Sequence, residues 1–198
     1  GGTTADVSLI VDGAVGIASN RQLAGRPCRQ PMVAIESIGA GGGSLVRLGV
    51  GGLTVGPQSA GADPGPAVYG RGGTGPTIAD ANALLGYLDP ERVLGGAIRL
   101  DLAAAEEAYA PIADALGRDV RETALGVLRV ANALMARALR RITVERGVDI
   151  RSCALVAFGG AGPMHACGLA RDVPGLSPIH LRLSPRAPSA ITQPAPAP

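Results

Sequence analysis

The chain has 198 residues, which is enough for one hydrophobic core, and its 46% hydrophobic content excludes a disordered protein. Its net charge is only +2, its basic residues are all arginines scattered along the chain, and no basic run contains interleaved aromatic residues, so nucleic-acid binding is not indicated. No apolar run is long enough to cross a membrane, no signal peptide is visible, and the three cysteines have no paired spacing, which together predict a cytoplasmic protein.

The first part of the chain predicts short strands joined by glycine turns. Residues 4–12 alternate in part and then become apolar, and the turn signal Asp12-Gly13 predicts a hairpin with the returning residues 15–18. Residues 32–38 predict a second strand, and residues 44–56 predict another hairpin. Residues 57–76 are rich in Gly and Pro and predict a long ordered loop or a linker.

The second part predicts helices. The first begins at Thr77 or Asp80, either of which can cap it, and continues to residue 88; the second spans 102–116 and stops at Gly117. The strongest helical signal covers 120–146, where apolar residues recur at helical spacing: Leu125, Leu128, Ala131, Leu134, Met135, Ala138 and Ile142. Four arginines near its C-terminus are interpreted as a solvated end favoured by the helix dipole, not as an anion site: Arg137, Arg140, Arg141 and Arg146.

Beyond this helix, residues 153–158 predict a short buried strand that runs into a glycine turn and a further helix. The pattern ends after Asp172, and the remaining residues contain seven of the 16 prolines. The sequence therefore predicts a folded domain over residues 1–172 and a disordered tail over residues 173–198.

Three turns share one design, in which clustered glycines follow an apolar strand. Glycine lets backbone N–H groups converge on a ligand because no Cβ intervenes, and an anion is the natural ligand of such a turn. One such turn is a weak signal because glycine also marks ordinary tight turns, but three strengthen it. The candidate nucleotide-binding residues are Gly1, Gly2, Thr3 and Thr4; Gly39, Gly41, Gly42, Gly43 and Ser44; and Gly159, Gly160 and Gly162.

Two of these turns resemble motifs of the actin-like ATPase superfamily. The first turn, GGTTADVSLI, resembles the second phosphate motif, in which glycines and threonine hold the nucleotide phosphates. A downstream aspartate, here Asp6, then lies near the hydrated Mg²⁺. The third turn, LVAFGGAGPMHACGL, resembles the adenosine motif of the superfamily.

A more specific resemblance covers roughly residues 1–172. The stretches IGAGGGSLVRLGVGGLTVGPQSAGADPGPAVYGRGGTGPTIADANALLGYLDPERVLGG and VANALMARALRRITVERGVDIRSCALVAFGGAGPMHA are similar to the hydantoinase A/5-oxoprolinase family. This resemblance implies an α/β fold, namely a partial actin-like (ribonuclease H-like) ATPase lobe with a mixed sheet and packed helices. It also implies ATP and Mg²⁺, with a further divalent metal as an option, and a B-type subunit or domain as partner.

The resemblance implies an ATP-dependent hydrolase whose substrate is a small cyclic amide such as a hydantoin or 5-oxoproline. Phosphorylation of the amide oxygen by ATP makes attack by water on an otherwise poor electrophile feasible. Two alternatives remain open at this point. The chain is then either a subunit of an ATP-dependent acetone or acetophenone carboxylase, or a non-catalytic remnant that docks a B-type chain.

Three departures from the family lead us to expect a fragment that is inactive alone. The sequence begins inside the second phosphate motif, without the N-terminal lobe and without the aspartate that normally precedes these glycines. Ala34 and Glu36 stand where the family commonly carries Asp and His, and only Glu36 offers a replacement oxygen ligand. The proline-rich ending indicates truncation or a shifted reading frame.

The candidate catalytic residues are Asp6, Glu36 and His165. His165 matches a position that is usually His in the family, and it serves either helix-start packing or a function in the cleft. Asp63 is interpreted as a turn former, with a polar contact to substrate as the alternative. For Asp80 and Asn82 the choice is between a helix cap and a ligand contact. No set of metal ligands is identified.

Overall fold

A computed structural model describes residues 2–19, 21–23, 25–93 and 98–180. The strands are β1 (Ala5–Val7), β2 (Ile10–Val11), β3 (Ala14–Val15), β4 (Ile17–Ala18), β5 (Arg21–Leu23), β6 (Arg26–Cys28), β7 (Met32–Val33), β8 (Glu36–Ile38), β9 (Ser44–Gly49), β10 (Gly52–Ser59), β11 (Ala154–Ala157) and β12 (Ser177–His180). The helices are α1 (Ile78–Leu84), α2 (Leu102–Leu116), α3 (Val120–Val144) and α4 (Gly162–Asp172). None of the helices in the described ranges is long and apolar enough to span a bilayer.

The strands form two-stranded sheets, some with antiparallel and one with parallel pairing. The pairs β1–β8, β2–β3, β4–β7, β5–β6 and β9–β10 are antiparallel, whereas β11 and β12 are parallel. Of the two predicted hairpins, the one at Asp12-Gly13 is confirmed only next to its turn, as β2–β3, because residues 5–7 and 17–18 pair with β8 and β7 instead. The one over residues 44–56 is confirmed as β9–β10. In the first, Asp12 and Gly13 both have positive φ values, 52° and 74°, as the tight turn of a two-residue hairpin loop requires.

The single strand predicted over residues 32–38 is divided in the structure. Its first part, β7, pairs with β4, and its second part, β8, pairs with β1. The apolar run is continuous in the sequence, but no one partner strand accompanies it. As a result β8 lies beside the first glycine turn, and it leads directly into the second.

Helix α3 is the centre of the fold. One hydrophobic cluster includes its buried residues together with partly buried residues of β1, β8 and β11 and Leu169 of α4. The predicted apolar face is right except at its start, where Leu125 is 41% exposed and Ala124 and Val127 are buried. The buried face of α3 is set by the elements that pack on it, which include α1, α2, α4 and β10.

Helix α1 begins as predicted after Thr77, which caps it together with Asp80, but it ends at Leu84, earlier than the predicted residue 88. The Asp80 N–H donates to the Thr77 hydroxyl, while the Asp80 carboxylate accepts the Thr77 N–H and hydroxyl, each at 2.7 Å, which forms a capping box. Asp80 also accepts the Val68 N–H at 2.7 Å and is fully buried. Burial raises the pKa of this carboxyl, although the hydrogen bonds lower it in part. Of the two roles considered for Asp80, these contacts favour the cap.

The end of the described chain differs from the expectation in two respects. Strand β11 is not fully buried, because Val156 is largely exposed while Ala157 is buried, and Phe158 just beyond it is 65% exposed. Residues 173–180, assigned to the predicted tail, belong to the fold: Val173 and Leu176 are buried and β12 pairs with β11. Residues 181–198 lie outside the described residues.

Candidate functional site

The first two glycine turns touch each other. The Gly43 N–H donates to the Gly2 carbonyl at 2.6 Å, and the Ser44 hydroxyl lies 3.3 Å from the Thr3 carbonyl oxygen. Ser59, at the end of β10, lies with its hydroxyl 3.5 Å from that of Thr3. The structure therefore brings two of the three predicted turns into one surface. Gly1, also predicted to hold phosphate, lies outside the described residues.

Backbone groups of the second turn form hydrogen bonds within the protein. The Gly41 N–H donates to the Ser44 hydroxyl at 2.9 Å, and the Gly42 carbonyl accepts the Ala79 N–H at 2.7 Å. A Cβ added at Gly39 would lie 2.7 Å from the Pro57 Cα, so glycine here permits close backbone packing. The N–H groups of Gly41 and Gly43 are thus already engaged, and a contact from this turn to a nucleotide stays a prediction.

The third glycine turn, unlike the second, is exposed to solvent and has free space in front of its glycines. Gly159 and Gly160 are exposed, and a Cβ added at Gly160 or Gly162 would meet no atom within 4 Å. Helix α4 begins directly afterwards with Ala161 as N-cap, and no side chain caps its N–H groups. Pro163 has no N–H and the Met164 N–H donates to the Ala161 carbonyl at 3.1 Å, so the features of this turn that suit an anion are the N–H groups of its glycines, the unobstructed approach and the helix dipole.

His165 lies behind this turn, between α3 and α4. It is only 2% exposed, and its Nδ1 donates to the Asn132 Oδ1 at 2.7 Å. The Nε2 atom is buried without a hydrogen-bond partner among the described residues. Burial lowers the pKa of His165 to about 4, so the imidazole is neutral at physiological pH. Of the two roles predicted for His165, these contacts favour packing at the start of α4.

Gly168 makes the contact between Asn132 and α4 possible. A Cβ at position 168 would overlap the Asn132 Nδ2. We expect Gly168→Ala to lower the free energy of unfolding by about 1–3 kcal/mol, the usual cost of overpacking, although alanine is the better helix former. Urea unfolding followed by circular dichroism measures the change.

The control is to make the same substitution in an Asn132→Ala variant, which lacks the amide that the new Cβ would overlap. In that background Gly168→Ala should be neutral or stabilising, because only the helix propensity remains. An equal loss of stability in both backgrounds would show that Asn132 is not the obstacle.

The other predicted site residues lie apart from His165. Asp6 is exposed on β1 and accepts the Thr4 hydroxyl at 3.4 Å. Glu36, on the adjacent strand β8, forms an ion pair with Arg141 of α3 at 2.9 Å. No hydrogen bond or ion pair in the described ranges joins any two of the three candidate catalytic residues. The catalytic roles of Asp6 and Glu36 stay predictions.

Asn82 and Asp63 have different settings. Asn82 is fully buried, its Nδ2 donates to the Ile78 carbonyl at 3.0 Å, and its Oδ1 lacks a partner among the described residues. Asp63 is exposed in the loop after β10. Within the described part of the chain, no group of three or more His, Cys, Asp or Glu side chains is arranged to hold a metal ion.

A family model described as hydantoinase/oxoprolinase matches residues 1–193. This chain belongs to the hydantoinase/oxoprolinase family. It is 43% identical over 175 residues to the caprolactamase subunit alpha of Pseudomonas jessenii, covering 87% of this chain and 25% of that protein. It is 38% identical over 190 residues to 5-oxoprolinase 1 of Arabidopsis thaliana, covering 87% of this chain and 15% of that protein. The chain therefore spans a quarter or less of these relatives.

Among solved structures, the nucleotide-free structure of acetone carboxylase, an enzyme of ATP-dependent acetone carboxylation, matches this chain with a TM-score of 0.79 at 36% sequence identity. The match covers 89% of this chain and 25% of the carboxylase chain. The predicted fold class is confirmed: the chain is a mixed α/β structure that forms part of an actin-like lobe. The hydantoinase/oxoprolinase resemblance stated from the motifs is confirmed as well.

Sequence reasoning missed Asn132 and the cavity that two of the arginines border. Asn132 interrupts an otherwise apolar face of α3, and a single amide on such a face is the signal that could have identified it. Arg137 and Arg141 are exposed, as predicted for a solvated helix end, and they also border a cavity with Glu36. No periodicity within α3 could have revealed this, because the opposite wall belongs to β8 and β10.

Proposed function

We propose that this chain forms the nucleotide-binding part of an ATP-dependent enzyme that opens small cyclic amides of the hydantoin or 5-oxoproline type. The observation that carries the proposal is the third turn, where an uncapped helix N-terminus follows Gly159 and Gly160 with no atoms in front of it. Membership of the hydantoinase/oxoprolinase family supports the reaction class.

The described residues suit a nucleotide at two places. At the third turn, the N–H groups of Gly160 and Gly162 would hold phosphate oxygens, or the turn would pack beside the nucleoside; in the helix that follows, Pro163 has no N–H and the Met164 N–H donates to the Ala161 carbonyl at 3.1 Å. At the first turn, Gly2 and Thr3 are exposed and no atom stands in front of Gly2, so the Thr3 hydroxyl is available to donate to phosphate, whereas the Thr4 hydroxyl donates to Asp6. Asp6 offers a carboxylate for the hydration shell of Mg²⁺.

When bound, ATP would supply the phosphoryl group that activates the amide oxygen. The chain's own part is to fix the phosphates, and the buried Asn132–His165 contact holds the start of α4 in place for this task. We propose a B-type subunit or domain as partner, since one of the relatives is named as a subunit, and the cytoplasm as the site of action. The roles of Mg²⁺ and of any further metal are part of the proposal.

A carboxylase subunit is the second candidate function, because the matched acetone carboxylase shares the fold at a TM-score of 0.79. The glycine turns suit either reaction, because both use a phosphate cradle. The two functions differ in the substrate, which is a cyclic amide in one case and a ketone in the other.

Magnesium-ATP titration observed through backbone amide NMR signals tests the proposed nucleotide site. We expect millimolar magnesium-ATP to shift the signals of Gly159, Gly160 and Gly162. Gly160→Val should abolish these shifts, because its side chain would occupy the open approach while clashing with no protein atom. The matched control is Gly49→Val, which also projects into open space but at the end of β9.

Equal shifts in the Gly160→Val and Gly49→Val variants, or no shifts in the unmodified chain, would contradict the proposed site. We expect no phosphate release by the chain alone, because it spans a quarter or less of the relatives it matches. Clear magnesium-dependent turnover by the purified chain would contradict that expectation.

A further inference from the structure

The second glycine turn, residues 39–44, lies largely inside the fold. Ala40 and Ser44 are only 1% and 0% exposed. The Gly42 carbonyl accepts the Ala79 N–H at the start of α1 at 2.7 Å, which fixes the turn to this helix. The buried groups of the second turn are therefore out of reach of a ligand in solution.

Two groups of the second turn hold carbonyl oxygens of the first turn. The Gly43 N–H donates to the Gly2 carbonyl at 2.6 Å. The proton of the Ser44 hydroxyl is shared between the Thr3 carbonyl at 3.3 Å and the Gly39 carbonyl at 3.2 Å. The first turn is thus attached to the second through two successive carbonyl groups.

These contacts determine where the N–H groups of the first turn point. The peptide bonds that follow Gly2 and Thr3 are both trans, and in a planar trans peptide the C=O and the N–H point in opposite directions. Because the two carbonyls point toward the second turn, the N–H groups of Thr3 and Thr4 point away from it. Successive N–H groups directed to one side form a concavity of the kind that binds anions.

We propose that the second turn positions the first turn for phosphate and contacts no ligand itself. Gly43 and Ser44 are the positioning residues, because they hold the Gly2 and Thr3 carbonyls and thereby direct the following N–H groups outward. This role differs from the expectation from sequence, in which all three glycine turns contact the nucleotide. The inference rests on the proposed function only in naming phosphate as the ligand.

Titration with magnesium pyrophosphate, observed through the amide NMR signals of Thr3 and Thr4, tests the role of Gly43. This probe has phosphate groups but no nucleoside, so it can report on the first turn alone. In Gly43→Ala the new Cβ would lie 3.0 Å from the Gly2 carbonyl oxygen and 3.1 Å from the Ser59 hydroxyl, which displaces the first turn. We expect its dissociation constant for pyrophosphate to rise about tenfold, the effect of losing about one hydrogen bond.

The matched control is Gly49→Ala, whose new Cβ would meet no atom within 4 Å and which should keep the affinity of the unmodified chain. The signals of Gly159 and Gly160 should respond to pyrophosphate alike in both variants, because the change is confined to the first turn. Equal first-turn affinities in the two variants would overturn the inference. An equal loss at the first and third turns would overturn it as well, because it would assign the effect to the fold as a whole.

Ser44→Ala removes the hydroxyl that holds the Thr3 carbonyl, so it should also weaken pyrophosphate binding at the first turn. Ser44→Thr keeps the hydroxyl and should bind more tightly than Ser44→Ala. Urea unfolding curves show whether each variant folds, and if Ser44→Thr does not fold, the two glycine variants decide. Equal weakening in the folded Ser44→Ala and Ser44→Thr proteins would overturn the role of Ser44.

Failure of this inference is distinguishable from failure of the proposed nucleotide site. If magnesium-ATP shifts the signals of the third turn but pyrophosphate leaves those of Thr3 and Thr4 unchanged in the unmodified chain, the positioning role is rejected and the nucleotide site stands. If pyrophosphate binds at the first turn and Gly43→Ala weakens it, but ATP shifts no signal of the third turn, the positioning role stands and the proposed nucleotide site is rejected.

Discussion

Replacement of Asp80 by alanine is expected to lower the free energy of unfolding by about 3–5 kcal/mol. The carboxylate accepts the Val68 N–H and both the N–H and the hydroxyl of Thr77 at the start of α1. Alanine would leave these donors without an acceptor in a site that water does not reach. The same change removes the capping box, so the first turn of α1 and the loop before it should loosen together.

Urea unfolding of the variant measures this loss. The control is Asp114→Ala, which removes an exposed carboxylate from α2 and should change stability by no more than about 0.5 kcal/mol. Asp80→Asn keeps the size and one acceptor oxygen but turns an NH₂ group toward a donor, so we expect a loss between those of the two alanine variants. An Asp80→Ala variant as stable as Asp114→Ala would refute the capping role.

Acidification is expected to destabilise the fold through His165. Burial lowers the pKa of this imidazole from 6.5 to about 4, so the unfolded chain binds a proton that the native chain does not bind between these values. The stability that His165 contributes is therefore present above pH 6.5 and is lost as the pH falls toward 4. Between pH 7.5 and pH 5 the loss from this group is about 2 kcal/mol.

Urea unfolding at the two pH values isolates the effect when compared with His165→Gln. The variant keeps a polar side chain but has no titrating group at this position, so its stability should depend less on pH by about 2 kcal/mol over the same range. Other titrating groups contribute equally to both proteins and cancel in the difference. Equal pH dependence of the two proteins would mean that His165 is not buried in its neutral form.

Local signals predicted the elements whose ends are set by their own residues. Helix α2 has the predicted bounds, because Asp101 caps its start and Gly117 adopts the left-handed conformation, with φ of 62°, that ends it. The β2–β3 hairpin follows in the same way from Asp12-Gly13. In both cases the residues that determine the structure are neighbours in the sequence.

Features that depend on distant partners could not be predicted. Leu125 fits the helical period of α3, yet it is 41% exposed, whereas Ala124 and Val127 beside it are buried in the core cluster. Of the candidate site, the glycine turns and His165 were found from their motif, whereas the use of Gly41 and Gly43 in contacts within the fold was not. Arg141 pairs with Glu36, more than a hundred residues earlier in the chain, and local patterns carry no information about that pairing.

The central position of α3 has a consequence for how the protein is made. Strands β1 and β8 pack Ala5, Val7 and Ile38 into the cluster around this helix, but synthesis proceeds from the N-terminus and α3 leaves the ribosome long after them. Until α3 is complete, these apolar side chains lack the helix that buries them. The first two glycine turns adjoin β1 and β8, and these strands also lack their packing partner until then. Completion of α3 is therefore the event in translation that allows the first half of the chain to acquire its final packing.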